Sequence, residues 1–160
     1  MNAHYFCGGW VGSVLQGAML SQGLLWDAQL QGADLRGADL SGASLGRSDL
    51  SYANLIKADL LGAKALHANL QSAGLEEENL QEAILRWAIL RDANLQNANL
   101  QNADLRDTKL DDADLYGADL RGARNIKPKQ IIAAQNWRDA LYDDDFRKKL
   151  DEFYETRSHH

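Results

Sequence analysis

Leucine recurs along this chain with a strict period of five residues. It occupies every position divisible by five from Leu15 to Leu120, with the single exception of Ala65. Two positions before nearly every leucine stands a small residue, usually alanine, and the residue between them is usually aspartate or asparagine. The repeating unit is therefore Ala-Asp/Asn-Leu-x-x, a self-similarity typical of repeat architectures.

A period of five excludes both an amphipathic helix and a flat strand. On a helix, which turns about 100° per residue, successive leucines would be scattered around the circumference. On a flat strand, an odd period would place them on alternate faces. The pattern instead predicts a chain that bends every five residues, so that the small residue and the leucine face one interior. Because such short sides pair only with equivalent sides one coil above and below, we expect a solenoid.

Glycine is frequent at the last position of the unit, where a tight turn favours positive φ. The glycines at this position are Gly17, Gly32, Gly37, Gly42, Gly62, Gly117 and Gly122. They are interpreted as corners, since the chain has no G-x-G-x-x-G or Walker-type phosphate-loop motif.

The unit resembles that of the pentapeptide-repeat family. The resemblance implies an all-β solenoid, namely a right-handed quadrilateral β-helix with four five-residue sides per coil. Tyr5 and Trp10 stand at leucine positions of the same register. We therefore expect the first coil to begin near Ala3 and the repeat domain to span residues 3–123.

The repeat stops after Gly122 and the composition changes. Short helices are predicted from about Pro128 to Ala134, after a capping Asn136, and from the run of Asp143 to Asp145. The last of these carries an apolar stripe at helical spacing, formed by Phe146, Leu150, Phe153 and Tyr154.

These short C-terminal α-helices, residues 124–156, resemble the small helical cap of pentapeptide-repeat proteins of cyanobacterial type. A solenoid end exposes unpaired strand edges, so a cap is expected there. The alternative is that the aromatic stripe is a dimer surface. Residues 157–160 are interpreted as the remnant of an expression tag.

Two positions break the repeat. Ala65 stands where a leucine would fill the core, which predicts underpacking. Glu78 occupies a small-residue position whose neighbours twenty residues away are Ala58 and Ala98. Because a buried unpaired carboxylate is costly, we expect Glu78 to turn toward solvent or to find a partner, with local distortion.

Seventeen basic and twenty-three acidic side chains among 160 residues give a formal charge of −6. This surplus argues against a phosphate-backbone binder, so we expect no direct contact with nucleic acid. The single cysteine, Cys7, cannot form an internal disulfide, and a reducing cytoplasmic location is expected. The N-terminus lacks a signal-peptide pattern, and no apolar run reaches the roughly 18 residues of a membrane span.

No pattern in the sequence points to catalysis, a metal or a cofactor. His4 and His67 lie far apart without ligands at metal-binding spacing, and Cys7 is interpreted as a free thiol. The recurrent Asp and Asn side chains are interpreted as solvated outward positions rather than a cation site. With no Ser-His-Asp spacing or Gly-x-Ser-x-Gly motif either, we expect a protein that is not an enzyme.

One side of the predicted solenoid mixes aromatic, aliphatic and basic residues. If residues twenty apart stack, the candidate partner-binding residues on this side are Trp26, Arg47, Lys64, Leu66, His67, Ile84, Arg86, Trp87 and Arg106. Trp and Arg often dominate the energy of protein contacts, so this side predicts a surface for a protein partner. The alternative is that Trp26 lies under the N-terminal residues and that Trp87 is an isolated surface residue.

The leading functional hypothesis is a protein-interaction or scaffold module with an unknown protein partner, either a monomer or a dimer through one end. The alternative comes from the resemblance: some relatives, the gyrase-inhibiting mycobacterial and quinolone-resistance pentapeptide proteins, mimic DNA with an acidic rod. Those relatives act as dimers, and the quinolone-resistance type adds loops, whereas no loop interrupts the repeat here. A regulatory role in cyanobacterial differentiation is a third and weaker alternative.

Overall fold

The computed structural model describes residues 9–158, which form a stack of coils followed by short helices. Isolated parallel β-bridges join each residue at the middle of a side to the residue twenty positions later, from Gly9 and Gln29 to Asp104 and Arg124. Since a turn interrupts the chain every five residues, twenty residues make one four-sided coil. The bridges stack these coils along a single axis.

Backbone hydrogen bonds run along that axis and hold neighbouring coils together. The Leu50 N–H donates to the Asn69 carbonyl of the next coil at 2.7 Å, and the Asn54 N–H donates to the Ala33 carbonyl of the previous coil at 2.9 Å. The same two bonds recur in nearly every repeat. Each short side is thereby paired on both edges, as a buried backbone requires.

Every corner has the same turn. The second residue after each leucine position has a positive φ, without exception from Gly12 to Gly122. The alanine that follows closes the turn, as the Ala53 N–H does on the Leu50 carbonyl at 3.0 Å. The seven glycines predicted as corners all have φ between 63° and 71°, as expected. Fifteen other corners carry a residue other than glycine in the same left-handed conformation.

The Asp and Asn column has a structural role that the sequence interpretation missed. These side chains were expected to be solvated, but most are half-buried. Their oxygens accept a hydrogen bond from the backbone N–H two residues later: Asp49 Oδ1 accepts from Ser51 at 3.0 Å, and Asn54 Oδ1 accepts from Ile56 at 3.2 Å. This Asx turn satisfies a donor that the coil-to-coil ladder leaves free.

The leucines from Leu25 to Leu120 and the small residues between them form one continuous buried core. In the first coil, Trp10 packs against this core and its N–H donates to the Gln29 carbonyl at 2.7 Å. Ala3 and Tyr5, where the register was expected to begin, lie outside the described residues. Ala65 is buried at its leucine position, and the underpacking expected there stays a prediction.

The prediction that Glu78 turns outward or finds a partner is wrong. The side chain is only 1% exposed, and neither carboxyl oxygen has a hydrogen-bond partner in the described part of the chain. The turn bond at this position is slightly longer than in most repeats, 3.3 Å from the Glu78 N–H to the Leu75 carbonyl. The inward direction of the repeat position therefore outweighs the cost of burying the carboxyl group.

Two α-helices and a 3₁₀ turn follow the coils: α1 (Pro128–Ile131), the 3₁₀ turn (Trp137–Asp139) and α2 (Asp144–Ser158). Apolar side chains of these elements and of the segments between them are buried and join the core, namely Ile131, Ala134, Trp137, Ala140 and Leu150. Between the helices, Gln135 and Leu141 form bridges with the last coil. The segment after the coils, residues 124–158, is here called the tail. It continues the packing of the coils, and its apolar stripe faces inward at Leu150.

Asn136 stands at the predicted N-cap position, directly before the 3₁₀ turn, but its side chain makes no capping hydrogen bond. Asn136 has a left-handed conformation, and its side chain caps no helix but donates to Asp114 Oδ1 at 2.8 Å. The stability of this contact outweighs the local preference of asparagine for a helix N-cap. Within residues 9–158, no helix has the length and apolar character that crossing a membrane requires.

Candidate partner-binding face

The nine candidate residues lie on one side of the stack of coils, here called the Trp26 face. This face comprises residues 24–27, 44–47, 64–67, 84–87 and 104–107, which stack through the bridges from Leu24 to Asp104. Trp26, Leu66, Arg86 and Arg106 form one outward column, in which Gly46 takes the second place. Arg47, His67 and Trp87 form the adjacent column at the corner.

Trp26 is held against the surface by the residues below it. Gly46 is buried, and a Cβ atom at that position would lie 2.6 Å from Cε2 of the Trp26 ring. The Trp26 indole N–H donates to Ser44 Oγ at 2.5 Å. Trp26 still exposes 47% of its surface, so it is an ordered aromatic residue that faces solvent. The residues that the alternative interpretation placed above Trp26 lie outside the described part of the chain.

Trp87 stacks on His67, the corner residue of the coil before it. The two ring centroids are 5.0 Å apart and the planes differ by 8°. Both residues have the positive φ of the corner, which points their side chains in the same direction. Trp87 therefore packs against a side chain of the neighbouring coil while remaining exposed.

Arg86 forms an ion pair with an almost fully buried carboxylate. Arg86 Nε lies 2.7 Å from Asp104 Oδ2, and only 3% of the Asp104 side chain is exposed. Asn125 donates to the other oxygen, Oδ1, at 2.9 Å. Burial raises the pKa of Asp104, but the hydrogen bonds from Asn125 and Arg86 outweigh it and hold the pKa below its ordinary value. The ion pair with Asp104 thus holds the Arg86 side chain against the stack of coils.

The remaining basic residues of the face differ in their freedom to meet a partner. Arg47 Nε lies 2.9 Å from Asp27 Oδ1 in an exposed pair, which contributes little to stability. Lys64 and Arg106 form no ion pair with any described residue and are exposed. The positive charge available to a partner therefore comes chiefly from these two side chains.

The Trp26 face also differs in charge from the other three sides. It carries four basic residues and three acidic ones, Asp27, Asp104 and Asp107. On each of the other sides, outward acidic residues outnumber basic ones by at least two to one. They are Asp34, Asp39, Asp49, Asp59, Glu76, Glu77, Glu82, Asp92, Asp111, Asp112, Asp114 and Asp119 against Arg36, Lys57, Arg91, Lys109 and Arg121.

Metal ligation has no support in the described residues, where no group of three or more His, Cys, Asp or Glu side chains is placed to hold an ion. His67 is engaged in the ring stack with Trp87. His4 and Cys7, the other residues considered for a metal or a reactive thiol, lie outside the described residues.

A family model of pentapeptide repeats matches eight copies in this chain, over residues 11–47, 28–64, 43–86 and 88–124. These stretches cover well over half of the sequence. The chain belongs to the pentapeptide-repeat family. Members of this family form right-handed β-helices, and the parallel, twenty-residue register of this pentapeptide-repeat protein agrees with that fold.

Solved structures of other pentapeptide-repeat proteins resemble this one. A protein from the cyanobacterium Cyanothece 51142 is 35% identical, with a TM-score of 0.51; the match covers 62% of this chain and 64% of that one. A protein from the thylakoid lumen of Arabidopsis thaliana is 34% identical, with a TM-score of 0.50; the match covers 64% of this chain and 74% of that one.

A third similar structure is HetL, a protein involved in heterocyst differentiation regulation from the cyanobacterium Nostoc sp. strain PCC 7120. It is 28% identical, with a TM-score of 0.49, and the match covers 81% of this chain and 68% of that one. The chain spans about 64% of the length of the Cyanothece protein. No curated protein matches the chain significantly.

Proposed function

We propose that this pentapeptide-repeat protein is a non-enzymatic interaction module that binds a protein partner through the Trp26 face. The observation that carries the proposal is the pair of ordered, exposed aromatic groups on this face, Trp26 on Gly46 and Trp87 on His67. Aromatic side chains that are already fixed lose little conformational entropy when a partner covers them, and they are common binding hot spots.

The partner is a protein that offers acidic groups beside an apolar contact. Lys64 and Arg106 are exposed without an ion pair among the described residues, and Leu66 and Ile84 add half-buried apolar surface between the aromatic groups. The other sides of the shaft carry an acidic surplus, so an acidic partner is steered toward this face.

If the protein instead mimics DNA, the mimicking surface lies on those other, acidic sides. A DNA-binding groove is lined with basic residues, which Lys64 and Arg106 would repel. Support for mimicry is limited to the net charge of −6 and its position away from the Trp26 face. Binding of a purified DNA gyrase to the protein, unchanged by alterations of the Trp26 face, would favour this alternative.

The choice of variant for a binding test follows from the contacts on the face. Replacing Arg86 would leave the buried Asp104 carboxylate without its cation, and the loss of stability would be confused with a loss of binding. His67→Ala with Trp87→Ala instead removes two exposed corner side chains that, among the described residues, stack on each other and on no further ring. Tyr52→Ala is the matched control, since Tyr52 is an exposed aromatic residue at the same corner position on another side.

The unaltered protein is first used to capture its partner from an extract of its source cells. We expect the double variant to bind this partner at least tenfold more weakly than the unaltered protein does. A loss of this size is expected because an aromatic hot spot contributes about 2 kcal/mol or more to binding. The affinity is measured by calorimetry with the purified partner. The Tyr52→Ala control retains full affinity, and all variants keep the same melting temperature within a few degrees. Undiminished binding by the double variant would place the contact on another side.

A further inference from the structure

One of the four sides of the last coil is covered only in part: the Asp112 N–H donates to the Ala133 carbonyl at 2.9 Å, but no described strand pairs with Lys109 and Leu110. Bridges from Asp104, Asp114 and Asp119 continue the ladder to residues of the tail, whereas Lys109 pairs only with Ile89 of the coil before it. The short helix α1 passes beside this uncovered edge. Between them remains a cleft of about 360 Å³, lined by Asp107, Thr108, Lys109, Leu110, Asp111, Lys127, Lys129, Gln130 and Ala133.

The edge of this cleft presents a free main-chain donor. In regular coils the N–H at the leucine position donates to the next coil, as the Leu90 N–H does to the Lys109 carbonyl at 2.8 Å. The Leu110 N–H has no such acceptor among the described residues. The nearby Thr108 carbonyl accepts instead from Gln130 Nε2 at 2.9 Å, a side chain that replaces one bond of the absent strand.

Basic side chains surround this donor. Lys109, Lys127 and Lys129 line the cleft, and two acidic residues line it with them. Each acid already has a cation: Asp107 lies 3.1 Å from Lys127 Nζ, and Asp111 lies 3.1 Å from the guanidinium of Arg91.

Lys109 and Lys129, by contrast, form no ion pair with any described residue, and both are exposed. The cleft therefore has an unpaired positive charge in a protein whose formal charge is −6.

We propose that this cleft binds an acidic peptide in an extended conformation, which supplies the missing strand along Lys109 and Leu110. A main-chain carbonyl of the peptide accepts from the Leu110 N–H, and its carboxylates contact Lys109 and Lys129. Addition of a strand to an unpaired edge is an established way of recognising peptides, in which the main chain gives affinity and flanking side chains give specificity. The site adjoins the Trp26 face, with which it shares Asp107, and does not depend on the function proposed for that face.

Titration of the full-length protein with two short peptides tests the proposal. The acidic probe is N-acetylated and C-amidated Gly-Asp-Ala-Asp-Gly, and the neutral probe is the isosteric Gly-Asn-Ala-Asn-Gly. Amide NMR spectra of the labelled protein report where each peptide binds. We expect the Leu110 amide proton to move downfield with the acidic peptide, at a Kd of about 1 mM or below. The neutral peptide is expected to bind at least tenfold more weakly.

Variants of the lysines separate this cleft from the rest of the surface. The double variant Lys109→Ala with Lys129→Ala is expected to bind the acidic peptide at least tenfold more weakly. The control, Lys57→Ala with Lys148→Ala, alters two exposed lysines elsewhere and is expected to leave the affinity for this peptide unchanged. Equal affinity for both peptides, or shifts that avoid Leu110, would overturn the proposal. Inorganic phosphate is titrated in parallel, and shifts at Leu110 with phosphate but not with the acidic peptide would assign the cleft to small anions instead.

Discussion

Glu78 brings a carboxyl group to a position where the neighbouring coils have the methyl groups of Ala58 and Ala98. Burial and the negative charge of Asp59 raise its pKa to about 9, against a smaller lowering by the backbone groups of Ala58 and Leu60. The side chain is therefore uncharged at neutral pH. A group that is neutral when folded and ionised when unfolded makes stability depend on pH.

The sign of this dependence follows from the two pKa values. The unfolded chain loses the Glu78 proton near pH 4.5, whereas the folded protein keeps it until about pH 9. The contribution to stability is therefore fully present below pH 4.5 and is lost as the pH rises toward 9. Between pH 4.5 and 7 the expected loss is about 3 kcal/mol.

Glu78→Gln is expected to remove this loss, because the amide does not ionise in either state. Urea unfolding of both proteins at pH 4.5, 7 and 9 measures it, and the difference between them cancels the contributions of all other groups. Glu78→Ala introduces the residue found at the stacked positions 58 and 98, and it is expected to raise the melting temperature at pH 7. Parallel pH profiles of the unaltered and Gln proteins would contradict the buried position of the carboxyl group.

The corner residues give a second prediction at this scale. Glu82 has a φ of 60° and is exposed, a conformation that costs an L-residue about 1–2 kcal/mol. Glu82→Gly is expected to raise the free energy of unfolding by about 0.5–1 kcal/mol, after the larger backbone entropy of glycine is subtracted. Gln81→Gly, at the preceding residue without a positive φ, is the control and is expected to lower it. Equal effects at both positions would show that the corner is not strained.

Each side of the coil is an element of five residues, and the one at residues 63–67 has the smallest side chain, Ala65, at its leucine position. Ala65 is 1% exposed, and Leu66 beside it points outward on the Trp26 face, where it is half-buried. Leu66 therefore does not replace the absent core side chain. The stacked positions above and below are Leu45 and Leu85.

Ala65→Leu is expected to raise the melting temperature, by an amount that corresponds to about 1–2 kcal/mol, because filling an underpacked site recovers part of the cost of a large-to-small change. Ala63→Leu is the matched control. It places the same side chain in a small-residue position of the same element, where overpacking is expected to lower the melting temperature. An unchanged or lower value for Ala65→Leu would show that neighbouring side chains already fill the space.

The helices of the tail form the largest element outside the repeat, and the sequence predicted them only in part. Pro128 and the Asp143 to Asp145 run mark helix starts by local preference, and α1 and α2 begin at Pro128 and Asp144. The contact of Asn136 with Asp114 depends on a coil twenty-two residues earlier, which local preference does not contain.

At the scale of the whole molecule, the tail covers the end of the core. Leu150 and Ile131 are buried, and bridges at Gln135 and Leu141 pair the edge of the last coil. Deletion of residues 125–160 is expected to expose Leu105 to Leu120 and to unpair that edge, so the truncated protein forms oligomers or aggregates. Light scattering coupled to size-exclusion chromatography measures the mass.

Leu150→Asp tests the same contact in the intact chain. The charged side chain is expected to detach α2 from the core and to produce part of the same association. A truncated protein that stays monomeric and as stable as the full chain would show that the tail is an appendage rather than a cover.

The repeat, the inward leucines, the glycine corners and the resemblance to the family can all be predicted from the sequence alone. These features depend on residues within one five-residue unit, and repetition makes each local preference visible many times over. The number of sides per coil is different in kind, because a period of five is compatible with any number of sides. Only the bridge between residues twenty apart in the structure shows that there are four.

The contacts between coils, and those at the end of the stack of coils, are visible only in the tertiary structure. The stack of Trp87 on His67, the pair of Arg86 with Asp104 and the cover of Gly46 by Trp26 join residues 18 or 20 positions apart. The inward burial of Glu78 and the free edge at Lys109 arise where one residue or one strand departs from its column. Such features depend on what neighbouring coils place against a residue, and this follows from the stacking register rather than from the local sequence.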